Sequence, residues 1–302
     1  MTDLVVARTR DELSSALAPL HSKGSIALVP TMGALHAGHR SLIGLAHELA
    51  DAVVVSIFLN PLQFGPGEDL SRYPQTLPED LVACEREGVD VVFAPTADVM
   101  YPGGRPTVTV HAGPLGDVLE GALRPGHYDG VLTVVAKLFG LVRPDVSVFG
   151  DKDAQQLALI RRMVDDLDLP VRVEGAPTVR TADGLALSSR NSYLDADATL
   201  HALALSRALL AANEIAPVAS VGEVLAAARQ VLDREPGLAV DYCVIVDPDT
   251  FEPLVDDGIT PVRGPARLLV AARVGGTRLI DTTLLRLSEA LPNLRPEEGD
   301  RS

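Results

Sequence analysis

Ten consecutive residues, Pro30-Thr31-Met32-Gly33-Ala34-Leu35-His36-Ala37-Gly38-His39, set two imidazoles three positions apart beside two glycines. Apolar Ile26–Val29 precedes them, and a helical pattern of Leu42, Ile43, Leu45, Ala46 and Leu49 follows. The order is therefore strand, glycine-bearing turn, helix start. A helix N-terminus exposes unpaired N–H groups and carries about half a positive charge, so it attracts anions. Glycines let the backbone approach a phosphate closely, and imidazoles add N–H donors to the same oxygens. The chemistry implied is a nucleotide-phosphate site that lacks the lysine of a P-loop. A zinc site is the competing reading. Helical zinc pairs, however, place His at i and i+4 with an acid between, and here no acid lies between the two and no third ligand is adjacent.

Two more apolar runs end in polar sequence. Val53–Leu59 leads into Asn60-Pro61-Leu62-Gln63, and Val146–Phe149 leads into Gly150-Asp151-Lys152-Asp153-Ala154-Gln155-Gln156. If the strands are parallel, all three clusters share one carboxyl edge of the sheet, where ligands of open α/β folds collect. Asn60 and Gln63 offer neutral amides suited to hydroxyls or a carboxylate, or serve as loop caps. Lys152 is a point charge for a phosphate, or a solvated lysine. Gln156 lies on the neighbouring turn. A fourth cluster, Leu187-Ser188-Ser189-Arg190-Asn191, pairs a guanidinium with two hydroxyls, a match for phosphate oxygens or a polar interdomain turn. Glu120, Arg124, His127 and Tyr128 precede a helix expected to begin near Gly130.

The elements that must position these groups follow from periodicity. Strands are expected at Leu4–Ala7, Ile26–Val29, Val53–Leu59, Val89–Phe93, Val146–Phe149 and Val171–Glu174, with helical patterns between them. Thr9 with Glu12, and Thr76 with Glu79, have capping-box spacing. Alternating β and α elements predict a doubly wound, Rossmann-like parallel sheet over residues 1–179. Residues 180–302 read as a smaller α+β domain that closes over the site. Its helices are expected near Asp197–Ala212 and Val221–Arg234 (capped by Ser220 and Glu223), and its strands at Val240–Val246, Arg267–Arg273 and Arg278–Thr283, with a hairpin at Gly275-Gly276. The tail from about Pro292 reads as flexible.

Composition narrows the class. The 302 residues carry a net charge of −15, which argues against nucleic-acid or anionic-membrane surfaces. Lys23, Lys137 and Lys152 are the three lysines, so any phosphate must be held by locally placed donors. Cys84 and Cys243 read as buried free thiols. The first residues lack the pattern of a signal peptide and no apolar run reaches about 18 residues, so a cytoplasmic protein is expected.

With these residues in view, the chain resembles the pantothenate synthetase (pantoate–β-alanine ligase) family of the His-x-Gly-His nucleotidyltransferase-like superfamily. Pro30–His39, Phe58–Gly65 with Tyr73-Pro74, Arg124–Val131, Gly150–Gln156 and Leu187–Asn191 occur in that family's order. The resemblance implies that ATP and pantoate form a pantoyl adenylate, which β-alanine converts to pantothenate and AMP. It implies ATP contacts from Met32, Gly33, Ala34, Leu35, His36, Ala37, Gly38 and His39, from Gly150, Asp151, Lys152 and Asp153, and from Val179, Leu187, Ser188, Ser189 and Arg190. His36, His39 and Lys152 would be catalytic, with His39 the proton donor. Gln63, Gln156 and Asn60 would hold pantoate, and Gln63 also β-alanine. Mg2+ would accompany ATP without assigned protein ligands, and the family is typically homodimeric. Asp151, Ala154 and Leu187 depart from its usual glutamate, aromatic and methionine. A nucleotidyltransferase with another acceptor, and a non-catalytic nucleotide-binding module, are the rival readings.

Overall fold

The computed structural model describes residues 4–255 and 263–287. They divide into two compact units, Met1–Tyr193 and Leu194–Ser302. The expected flexible tail lies outside the described residues. The division falls after Tyr193 rather than after residue 179. The reason is a small hairpin: Arg180 bridges Ala186, Leu187 N–H donates to the Val179 carbonyl, and Tyr193 Oη donates to the Arg72 carbonyl. These bonds return the Ser188–Arg190 segment to the first unit.

The first unit runs β1 (Val5–Ala7), α1 (Arg10–His21), β2 (Ile26–Thr31), α2 (Ala37–Leu49), β3 (Ala52–Ile57), α3 (Leu77–Arg86), β4 (Val91–Phe93), α4 (Ala97–Met100), α5 (Glu120–Leu123), α6 (His127–Val142), β5 (Val146–Gly150), α7 (Ala154–Asp166) and β6 (Arg172–Ala176). Its six strands form one parallel sheet in the order β1-β4-β3-β2-β5-β6. Alternation along the strands separates two cores. Ile26, Leu28, Val54 and Phe93 pack with α1, α6 and α7, while Ala27, Val29, Val53 and Val55 pack with Leu42, Ile43 and Ala46 of α2 and Cys84 of α3. Chain order reverses between β2 and β5, and the loops after these strands carry the histidine and lysine clusters.

The Thr9–Glu12 capping box forms as expected. The Thr76–Glu79 box does not. Thr76 makes no side-chain cap bond; its hydroxyl donates instead to the Asp80 carboxylate at 3.3 Å. Helix α6 starts at His127, three residues before the expected Gly130, and is buried along most of its length, as an interior helix must be.

In the second unit, α8 (Ala196–Ile215) and α9 (Val221–Asp233) precede an antiparallel sheet of β7 (Leu238–Val246), β8 (Gly264–Val274) and β9 (Thr277–Leu287), ordered β7-β8-β9. Ser220 and Glu223 form the expected box at the start of α9. Both cysteines are buried free thiols, and burial pushes Cys84 up to about 12 and Cys243 up to about 11. No helix among the described residues is long and apolar enough to cross a membrane.

Gly130 marks where α6 touches the turn that follows β3. A Cβ there would fall 2.4 Å from the Leu62 carbonyl oxygen and 2.6 Å from the Gln63 nitrogen. Gly130→Ala should therefore cost about 2–3 kcal/mol, as overpacking does, and displace Gln63. Chemical denaturation reads this directly; a wild-type midpoint would show that the helix does not rest on that turn.

Candidate active site

The turn between β2 and α2 uses its backbone amides in an unexpected way. Gly33 and Ala34 both have positive φ, and two successive amides turn inward onto one buried carboxylate. Asp80 of α3 accepts from Ala34 N–H at 3.0 Å and Leu35 N–H at 2.7 Å. These amides are therefore not phosphate donors. Gly33, Ala34, Leu35 and Ala37 do not line the cavity described below. For Ala34 and Leu35 the expected ATP contact gives way to a structural clamp, and the Gly33 N–H is taken by Thr31 Oγ1 at 3.2 Å.

Helix α2 is capped by imidazoles. His36 is the N-cap residue and its Nδ1 accepts from Gly38 N–H at 3.1 Å; His39 Nδ1 accepts from His36 N–H at 3.3 Å. Gly38 is required here, since a Cβ would sit 2.8 Å from the His36 ring. The rings lie 4.1 Å apart, tilted by 34°. A backbone N–H facing Nδ1 leaves the ring proton on Nε2, so each neutral ring offers one outward N–H. Burial, the neighbouring His36 ring and the Lys152 ammonium push His39 down to about 3. Burial first, and then Lys152, also lowers His36. Both rings are hydrogen-bond donors at neutral pH. His39 does not hold the extra proton that an acid role would need.

After β3, Asn60 caps a short 3-10 turn, Pro61–Gln63. Its Oδ1 accepts from Leu62 N–H at 3.3 Å and Tyr101 Oη at 2.9 Å; its Nδ2 donates to the Gly130 carbonyl at 3.1 Å and Gln63 Oε1 at 3.0 Å. The Asn60 amide is fully used inside the protein, so its expected substrate contact is replaced by orientation of Gln63. With Oε1 held, Gln63 turns Nε2 toward Met32 Sδ, 3.2 Å away, a weak acceptor that a stronger one can displace. His127 secures the same turn. Its Nδ1–H donates to the Gln63 carbonyl at 2.7 Å while Nε2 accepts from Arg124 Nη1 at 3.0 Å. Burial, then the Arg124 charge, pushes His127 down to about 4.

Lys152 lies in a 3-10 turn, Asp151–Asp153, rather than in the helix proper, with Nζ 3.5 Å from Asp153 Oδ1. The two nearby arginines are already engaged. Arg190 forks onto Asp69 through Nε and Nη2 at 3.1 and 3.3 Å, and Arg124 engages Glu68 through Nε at 2.9 Å. Ser189 Oγ accepts from Tyr73 Oη at 3.4 Å, and Ser188 Oγ accepts from Arg190 N–H at 3.3 Å. Arg190 thus braces the loop that carries Asp69.

All of this surrounds one cavity of about 240 Å³. Met32, His36, Gly38, His39, Asn60, Gln63, Gly150, Lys152, Asp153, Gln156, Val179, Leu187, Ser188, Ser189 and Arg190 line it; Asp151 does not. Phe58, Val131, Val134, Val135, Leu138 and Phe149, members of one apolar cluster, line it too and form an apolar wall. Sequence reasoning missed this wall, the Asp80 clamp and the Glu68 and Asp69 pairings. The part of the wall on α6 was marked by the nearly continuous apolar run from Val131 to Val142; Asp80 carried no signal beyond an acid in the first turn of a helix. Among the described residues, no group of three His, Cys, Asp or Glu side chains is placed to hold a metal ion.

The chain matches the family described as pantoate-beta-alanine ligase over residues 5–284. It is 58% identical over 308 residues to the pantothenate synthetase of a Nocardioides species, covering 99% of this chain and 91% of that protein. Among solved structures, the pantothenate synthetase of Thermus thermophilus superposes with a TM-score of 0.86 at 48% identity, covering 92% of this chain and 98% of that one. The pantoate-beta-alanine ligase of Francisella tularensis, complexed with Beta-gamma ATP and beta-alanine, does so at 0.76 and 32% identity, covering 93% and 97%.

The neutral histidines carry a stability consequence. His39 and His127 have folded pKa values of about 3 and about 4, against 6.5 for a free ring. Below 6.5 the unfolded chain binds protons that the folded chain refuses. Stability contributed by these rings is complete above 6.5 and is lost as pH falls, by at most about 1.4 kcal/mol per pH unit for each ring. Unfolding free energies measured between pH 7.5 and 4.5 should fall accordingly, and His127→Gln should flatten the slope by one proton. An unchanged slope would mean the ring is not held neutral.

Proposed function

Because the chain belongs to the pantoate–β-alanine ligase family, whose members are ligases of pantothenate biosynthesis, we propose that it condenses (R)-pantoate with β-alanine through a pantoyl adenylate. The observation that carries this reading is one cavity holding two imidazole N–H donors, one ammonium and two amides beside an apolar wall. The triphosphate lies against His36, His39 and Lys152, with Met32, Gly38, Gly150, Asp153, Val179 and the Leu187–Arg190 segment completing its site. The Francisella tularensis complex supports ATP and β-alanine as occupants by similarity. Gln63 and Gln156 bond the polar groups of pantoate, and the apolar wall receives its two methyl groups. Gln63 also meets β-alanine.

In the first step a pantoate carboxylate oxygen bonds to the α-phosphorus, and the bond to the β-phosphate bridging oxygen breaks, releasing diphosphate. In the second, the β-alanine nitrogen attacks the acyl carbon, its proton passes to solvent, and the bond to AMP breaks. A carboxylate is a poor electrophile, and adenylation supplies the leaving group. No protein nucleophile is required, and both cysteines are buried away from reactivity. The protein contributes alignment and charge stabilisation.

The charge balance supports Mg2+ with ATP. The rings are neutral, Arg190 and Arg124 are paired with Asp69 and Glu68, and Lys152, the one lysine lining the cavity, itself lies 3.5 Å from Asp153, so little net positive charge meets a triphosphate. Among the described residues, Asp153 is the one carboxylate lining the cavity, and it is the residue that would share a cation held mainly by phosphates. The ion would offset phosphate charge. A cytoplasmic homodimer completes the reading; two unpaired thiols suit a reducing compartment.

With ATP and pantoate alone, diphosphate should appear in an amount equal to active sites, and continuous release should need β-alanine. Stable adenylylation of another acceptor, or no diphosphate at all, would overturn the reading. Lys152→Ala and His39→Ala should each lower turnover at least about 10²-fold, the scale for one lost donor to developing charge; near-normal rates in either would remove its role. Gln63→Ala should raise the pantoate KM while leaving the ATP affinity within about twofold of wild type. Equal pantoate dependence would place the acid elsewhere.

A further inference from the structure

Ser56 is a polar residue in the otherwise apolar β3 run Ala52–Ile57. Its partners across the sheet are Pro30 of β2 and Phe93 of β4. Alternation places its side chain on the Val54 face, which packs against α6. The residue is fully buried, its Oγ has no hydrogen-bond partner, and it lines the cavity. Thr31 engages Ser56 only through the backbone carbonyl, at 2.8 Å, so the hydroxyl itself is idle.

An idle buried hydroxyl is rare in folded proteins, because it has given up water without gaining a partner. Alanine or valine would fill this position without that penalty. Pro30, Phe58, Val134, Val135 and Phe149 line the same cavity, and the last four belong to one apolar cluster with Val54 of β3. A partner must therefore arrive with a ligand, and it must be the polar tip of an otherwise apolar group.

We propose that Ser56 is a specificity-determining residue that hydrogen-bonds the C4 hydroxyl of the acid substrate. This rests on the pantoate reading above. The carboxylate must face the α-phosphate near His39, in the first turn of α2, and Lys152, in the turn after β5, both beyond the strand ends. Ser56 lies one residue inside the end of β3, deeper in the sheet. The group that reaches it is the one farthest from the carboxylate, beyond the quaternary carbon whose methyls meet the apolar wall. For pantoate that group is the primary alcohol. Sites that pair a substrate hydroxyl with a buried polar group discriminate strongly against the analogue that lacks it.

The test compares pantoate with 2-hydroxy-3,3-dimethylbutanoate, which lacks only the C4 hydroxyl, by diphosphate release in wild type, Ser56→Ala and Ser56→Cys. Wild type should prefer pantoate in kcat/KM, and Ser56→Ala should reduce that preference about tenfold, through loss on pantoate with the analogue little changed. Ser56→Cys, with a weak donor of similar shape, should fall between. The ATP KM should stay constant in all three, and Ser56→Ala should melt no lower than wild type, since it removes an unpaired group. An equal preference ratio in wild type and Ser56→Ala would overturn the assignment while leaving the pantoate reading intact. Wild type inactive on pantoate would overturn that reading itself.

Discussion

The site depends on helix α2 beginning with imidazoles instead of a serine or aspartate. Because backbone N–H groups consume both Nδ1 atoms, His36 and His39 are fixed as neutral rings with Nε2–H facing outward. A protonated ring would place two hydrogens against each other at Nδ1, and burial opposes the charge as well. The positive end of the helix is thus presented to an anion through side chains that reach farther than backbone amides. The cap holds only while the preceding turn keeps its left-handed course, which the Asp80 carboxylate maintains from the neighbouring helix.

Charge is distributed with the same economy. In a chain of net charge −15, the two guanidiniums at this cavity are already paired with carboxylates, and its single lysine lies 3.5 Å from Asp153. The arginines serve mainly as struts. Arg124 ties Glu68 to His127, and Arg190 ties Asp69 to the segment carrying Ser188 and Ser189. Through these pairs the loop after β3 is held in place, and with it Gln63. A paired arginine adds little net charge but fixes geometry through its planar fork. Alignment of neutral donors, more than an accumulation of cations, is what this cavity offers.

Much of this was legible in the chain itself. Apolar runs ending in Pro30, Asn60 and Gly150 marked three strands whose polar sequels meet, because parallel strands deliver their carboxyl ends to one edge. The paired histidines, Lys152, Gln63 and Gln156 were recognisable from residue type and position, and all of them line the cavity. Local signals such as the Thr9–Glu12 and Ser220–Glu223 boxes were equally readable, since they involve residues three apart.

What the sequence determined, then, was periodicity, strand ends and the identity of groups able to meet a phosphate, all of which are short-range properties. Which atoms remained available was decided by tertiary contacts. Ala34 and Leu35 lost their amides to a carboxylate more than forty positions away; Asn60 was saturated by Gly130 and Tyr101; and the fork of Arg190 was occupied by Asp69. A hydrogen-bonding group has few bonds to give, and only the folded chain reveals which partner has taken them.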